Sequence, residues 1–201
     1  MKILNKIDSE FILAEFLAGK TFILPTETSY GLCCDATNQN ATEKIFSIKG
    51  RRADKPLLVV VPTVAMAKQV LVWNETLEKI AKQYWPGPLT VVGDARLDFF
   101  KLAAGVLGKD GTVAVRVTAD SFLSSLVDKL GRPMVATSGN ISETSNIYDS
   151  TDVIAQFSGR TLMPDYLFSA GKLPRHTPTT IVSVVDDKLK IIRQGEIVVT
   201  V

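Results

Sequence analysis

Leu57-Leu58-Val59-Val60-Val61 is the longest unbroken apolar run in the chain, and Pro62-Thr63 closes it at once. A run of this length, rich in branched side chains, suits a strand covered on both faces by helices. The flanking segments agree. Upstream, Asp8 stands as N-cap before an Ile12, Leu13, Phe16, Leu17 stripe that stops at Gly19. Thr21 to Leu24 then reads as a short strand ended by Pro25, and a helix follows around Ala41 to Ile48. Downstream, Leu77, Ile80, Ala81, Tyr84 and Trp85 repeat at helical spacing and break at Pro86-Gly87-Pro88. Leu89 to Val92, Thr112 to Val117 and Pro133 to Ala136 read as strands, and Phe122, Leu123, Leu126, Val127 and Leu130 as a helix closed by Gly131. Thr180 to Val185 and Leu189 to Arg193 straddle Asp186-Asp187-Lys188 as a hairpin. Strands alternating with helices predict an α/β fold: one domain over 1–201, an open twisted sheet of mixed parallel and antiparallel strands with flanking helices.

Composition excludes several classes. At 46% hydrophobic and 22% charged residues the chain is neither disordered nor a coiled coil. No apolar run approaches the roughly 18 residues of a membrane span. The start, Met1-Lys2-Ile3-Leu4-Asn5-Lys6, has no apolar signal region, so the chain reads as cytoplasmic. The Asn-x-Ser/Thr matches at Asn40, Asn74 and Asn140 then carry no glycosylation meaning. Cys33 and Cys34 are adjacent and His176 is the one histidine, so neither a disulfide nor a Cys/His zinc site is expected. Net charge is only +2, so any basic site must be a local cluster.

Three polar loops sit where open α/β sheets bind ligands, at the carboxyl ends of strands or beside them. Pro25-Thr26-Glu27-Thr28-Ser29-Tyr30-Gly31-Leu32 offers several hydroxyls, although a Thr/Ser turn would look the same. Lys49-Gly50-Arg51-Arg52-Ala53-Asp54-Lys55-Pro56 sets four cations against one carboxylate. That is a phosphate-binding composition or a solvated basic loop. Ala136-Thr137-Ser138-Gly139-Asn140 could bond phosphate, ribose or base edges, or be a plain β-turn. Gly19-Lys20-Thr21 resembles the end of a P-loop only by accident. Ala14 stands where its first glycine belongs, and a helix precedes it where a strand should.

Taken together the segments resemble the YrdC-type threonylcarbamoyl-AMP synthase family, in its short single-domain form. The matches are Pro25-Thr26-Glu27-Thr28-x-Tyr30-Gly31-Leu32, Lys49-x-Arg51 with Lys55-Pro56-Leu57, Pro86-Gly87-Pro88-Leu89-Thr90, Val113 to Val117, and Ser138-x-Asn140-x-Ser142. The resemblance implies that L-threonine, bicarbonate and ATP give L-threonylcarbamoyl-adenylate and pyrophosphate. A separate threonylcarbamoyl transferase complex would then modify tRNA. It places Lys49, Arg51, Ser138 and Asn140 in the catalytic set, and Lys55, Thr112, Asn146 and Arg193 beside them around ATP. Thr28, Arg116, Ala136 and Thr180 fall where the family holds threonine. Magnesium would arrive with ATP, with no protein-bound metal. Weak RNA binding through the basic stretch is compatible; no membrane partner is implied. Alternatives of the same fold are a non-catalytic RNA-binding module or a carbamoyl-transferring relative. The chain departs from the family pattern at Gly139, Thr118, Glu143, Asn146 and Gln194. It stops at Val201, so the long form's extra domain is not expected.

Overall fold

The computed structural model describes residues 1–6 and 8–200; Ile7 and Val201, within the expected domain 1–201, lie outside the described residues. The strands are β1 (Lys2–Leu4), β2 (Phe22–Pro25), β3 (Tyr30–Asp35), β4 (Val59–Val61), β5 (Leu89–Asp94), β6 (Thr112–Val117), β7 (Met134–Ser138), β8 (Tyr166–Phe168), β9 (Thr180–Val185) and β10 (Lys188–Arg193). The helices are α1 (Ser9–Leu17), α2 (Gln39–Lys49), α3 (Val64–Val70), α4 (Glu75–Tyr84), α5 (Ser121–Leu130) and α6 (Ser150–Phe157).

All ten strands join one open sheet in the order β1-β8-β2-β3-β7-β4-β6-β5-β9-β10. It is mixed as expected, with β4/β6 and β5/β9 parallel while β3/β7, β4/β7 and β5/β6 run antiparallel. Helices cover both faces. Ile12 and Phe16 of α1 pack with Leu123, Leu126 and Val127 of α5 on Phe22, Leu24, Cys33 and Val60. The other face buries Ile45 of α2, Val70 of α3, Leu77 and Ile80 of α4 and Phe157 of α6. Each such side chain contributes roughly 1.5–3 kcal/mol relative to an exposed one.

Local signals place the helix ends. Asp8, Asn38, Asn74 and Asp120 each accept the backbone N–H of the third residue of their helices. Gly50 ends α2 in the left-handed conformation, at φ 57°. The P-loop look-alike is a helix stop, with Gly19 at φ 77° after α1.

Some expectations need correction. The apolar run at Leu57 yields a strand only over Val59–Val61, because the Leu57 N–H donates away to the Gly105 carbonyl. Leu17 is 58% exposed although it belongs to the α1 stripe. The strand expected over Pro133 to Ala136 is β7, running on through Ser138, so part of the third loop is extended. β1, β3, α3, α6 and β8 have no counterpart in the sequence reading. β3 is buried throughout, so it shows no alternation, and its Tyr-Gly-Leu-Cys-Cys-Asp composition carries little strand signal.

Candidate active site

The face covered by α1 and α5 continues over β6, β5 and β9 as the floor of a cavity of about 500 Å³. Ala114 and Arg116 of β6, Thr90 and Val92 of β5 and Ile181 of β9 alternate along their strands to form this floor. Thr28, Arg51, Ala136, Ser138, Asn146 and Arg193 complete the wall. A second cavity of about 190 Å³ adjoins it, sharing Arg51, Ser138 and Asn146 and adding Lys49, Arg52, Lys55 and Asn140. The fold thus brings together all twelve expected site residues except Thr112 and Thr180.

The placement of those two side chains away from the cavities has simple causes. Thr180 sits on β9 one residue from Ile181, so its side chain points to the opposite face. There its hydroxyl donates to the Ile197 carbonyl at 2.5 Å. Thr112 lies at the far end of β6, where its hydroxyl donates to Asp110 Oδ1 at 2.7 Å. Thr179, which lines the cavity in place of Thr180, is outside the expected site set; Thr90 and Thr137, also in the lining, fall in segments quoted above but carry no expected role.

Lys49 is the last residue of α2, four positions after Ile45 on the helix's buried face, and is 2% exposed. Nζ donates to the Asn140 carbonyl at 2.6 Å and to the Ser138 carbonyl. Burial, reinforced by the Arg51 charge, lowers its pKa to about 7. Arg51 is held at the root: Nε donates to the Lys55 carbonyl at 2.8 Å and Nη2 to the Pro56 carbonyl at 3.0 Å. The loop after β7 is equally fixed. The Gly139 N–H donates to the Tyr30 carbonyl at 2.7 Å, and the Asn140 side-chain amide donates to the Thr144 carbonyl. Gly139 fits that packing, and Glu143 stands in a conformation that favours glycine. A Cβ on Gly139 would lie 2.9 Å from the Tyr30 carbonyl oxygen, whereas Glu143 takes a left-handed φ of 68° on the exposed rim.

Of the hydroxyls before β3, that of Thr26 closes its own turn, donating to the Ser29 carbonyl at 2.8 Å and accepting from the Thr28 and Ser29 N–H groups. Arg193 folds onto the Thr179 carbonyl at 2.7 Å.

Arg116 is the electrostatic centre of the larger cavity. It is 3% exposed, and burial lowers its pKa, opposed by Glu27 and more weakly by Cys33 and Asp120. Nε lies 3.5 Å from Glu27 Oε1, close enough for an ion pair but not aligned as a hydrogen bond. Cys33 is no anionic partner, since burial pushes its thiol up to about 12. Among the described residues no protein group accepts from the two terminal nitrogens, and they are not among the sealed unpaired atoms, so they open to the cavity. A buried guanidinium with a free fork is a receptor for a carboxylate or phosphate.

Comparisons with known proteins agree with this arrangement. A family model described as "Telomere recombination" (Sua5/YciO/YrdC) matches residues 15–195. A threonylcarbamoyl-AMP synthase of Pyrococcus abyssi is 32% identical over 181 residues, covering 88% of this chain and 51% of that protein. The chain therefore spans about half the length of that relative. A threonylcarbamoyl-AMP synthase of Pseudoalteromonas atlantica is 30% identical over 176 residues, 85% of this chain and 90% of that one. The crystal structure of P. abyssi Sua5 complexed with L-threonine superposes with a TM-score of 0.81 at 28% identity, covering 97% of this chain and 58% of that one. With nearly the whole chain matched, this protein belongs to the Sua5/YciO/YrdC family.

Proposed function

We propose that the chain is a threonylcarbamoyl-AMP synthase: L-threonine, bicarbonate and ATP give L-threonylcarbamoyl-adenylate, pyrophosphate and water. The observation that carries this reading is the free, buried Arg116 fork in a cavity that opens into a second one lined by Lys49, Arg51, Arg52 and Lys55. One end suits an amino-acid carboxylate, the other a polyphosphate. Relatives of this chain that cover most of their own length carry the same activity in their names.

In this arrangement Arg116 binds the threonine carboxylate, with Thr28 and Ala136 beside it. The threonine amine attacks the bicarbonate carbon and water leaves, and an oxygen of the resulting carbamate attacks the α-phosphorus of ATP from the larger cavity. The new bond joins the carbamate oxygen to phosphorus, and the electron pair of the broken bond leaves with pyrophosphate into the smaller cavity. Negative charge grows on the phosphoryl oxygens and the leaving group, where Lys49 and Arg51 are already fixed. Ser138 and Asn146, in the shared wall, and Asn140 beside them border the point of transfer; Lys55 and Arg193 border the nucleotide. The cations of the smaller cavity fit phosphate oxygens rather than a bare metal ion, so magnesium enters as part of the nucleotide. The cytoplasm supplies all three substrates, and a transferase complex consumes the adenylate there. Among the described residues no helix is long and apolar enough to cross a membrane.

The test is pyrophosphate release from ATP by the purified protein with magnesium, leaving out threonine and bicarbonate in turn. Release should need both and should not need tRNA. Turnover indifferent to threonine overturns the assignment.

A further inference from the structure

The geometry points to Thr118 and Glu27 as positioning residues that keep the Arg116 fork free for substrate; this rests on the role of Arg116 proposed above. Thr118 follows the last residue of β6 and is 2% exposed. Its hydroxyl donates to Glu27 Oε2 at 2.6 Å and accepts from the Asp120 N–H at 3.2 Å. One carboxylate oxygen of Glu27 is thus committed to Thr118. The other, Oε1, is sealed from solvent with no hydrogen bond and stands 3.5 Å from Arg116 Nε.

That division has a consequence for binding. A carboxylate with both oxygens free would close on the guanidinium as a parallel two-point pair, the preferred Arg–carboxylate geometry. Such a pair would occupy the donors that a substrate carboxylate needs. By holding Oε2, Thr118 limits Glu27 to a loose contact at Nε. Glu27 then supplies the countercharge a buried guanidinium requires, yet the two terminal nitrogens stay open to the cavity. Of the groups around the fork, Thr118 supplies the one hydroxyl bound to Glu27 among the described residues.

Calorimetry of threonine and of ATP on wild type, Thr118→Val and Thr118→Ser tests this, with the Arg116 Nε–H signal followed by NMR in ligand-free protein. Thr118→Val should weaken threonine binding about tenfold to a hundredfold, the scale of one charge-assisted hydrogen bond. ATP binding should stay within about twofold, and the Nε–H signal should shift as Glu27 closes on it. Thr118→Ser should behave as wild type, a rescue that a packing role for the threonine methyl would not give. Unchanged threonine affinity in Thr118→Val overturns the inference. If wild type binds no threonine, the functional reading fails and the Nε–H signal alone decides: a shift upholds the brace, no shift overturns it. Should Thr118→Val not fold, Thr118→Ala carries the same measurements, since it too releases Glu27 Oε2; weaker threonine at unchanged ATP affinity upholds the brace and unchanged threonine affinity overturns it.

Discussion

Lys49 is a scaffold by its contacts, and the reaction proposed above makes it a phosphate ligand as well. A neutral amine has two N–H donors, and the Ser138 and Asn140 carbonyls take two bonds from Nζ. Protonation adds a third donor with no comparably short acceptor, the next contact being Asn140 Oδ1 at 3.4 Å. A phosphate oxygen in the smaller cavity would supply it and draw the pKa up from about 7. ATP binding at about pH 8 should therefore take up protons, and at about pH 6, where Lys49 is already charged, it should not. Titration calorimetry in buffers of different ionisation enthalpy reads this directly; equal enthalpies at the higher pH would contradict it. The sign for stability follows from the same shift. Between about 7 and the ordinary 10.5 the unfolded chain holds this proton and the folded chain does not, so the Lys49 contribution to stability rises with pH across that window.

At the scale of elements, the site is built where strands and helices end. α2 delivers Lys49 and, through the left-handed Gly50, swings Arg51 across to the wall shared by both cavities. The end of β7 delivers Ser138 and Asn140, clamped to β3 through Gly139 and to α2 through Lys49. Because the clamp at Gly139 leaves no space for a side chain, Gly139→Ala must push the loop away from the Tyr30 carbonyl. We expect a loss of about 1–3 kcal/mol in stability, as for other overpacked sites, together with weaker ATP binding. Chemical denaturation checks the first and calorimetry the second; wild-type values in both would show that the loop relaxes freely. The β9–β10 hairpin is tied in differently. Asp186 and Asp187 both take positive φ in its two-residue turn, and the Asp187 carboxylate accepts the Thr76 N–H at the start of α4 at 3.0 Å.

Over the whole molecule, the two cavities share a wall, so their ligands should not bind independently. Each ligand would settle the outer ends of the Arg51, Ser138 and Asn146 side chains, whose roots the fold already holds, and the second would then meet a wall already arranged. Either ligand at about a hundred times its Kd should stabilise the fold by roughly 2.7 kcal/mol. For a chain of this size that is a rise of about 5–10 °C in Tm. Threonine and ATP together should raise Tm by more than the sum of the separate shifts, and a strictly additive result in a thermal scan would argue for separate sites. Much of this was legible in the sequence. Apolar periodicity, caps and turn residues act over a few neighbours, so they determined the α/β class, the mixed sheet, most of the helices and the closing hairpin. The basic stretch at Lys49 and the polar segment at Ser138 were visible for the same reason. Only the tertiary structure decided that they meet. Their contact depends on β7 pairing with β3 and on α2 reaching the Ser138–Asn140 turn, long-range choices that no local pattern records. Strand pairing likewise decided that Thr179 rather than Thr180 lines the cavity, since neighbouring residues on a strand part to opposite faces. And the buried, weakly paired guanidinium of Arg116 could not be read from Val115-Arg116-Val117, because burial and the choice of partner are properties of the surroundings that folding brings to a residue.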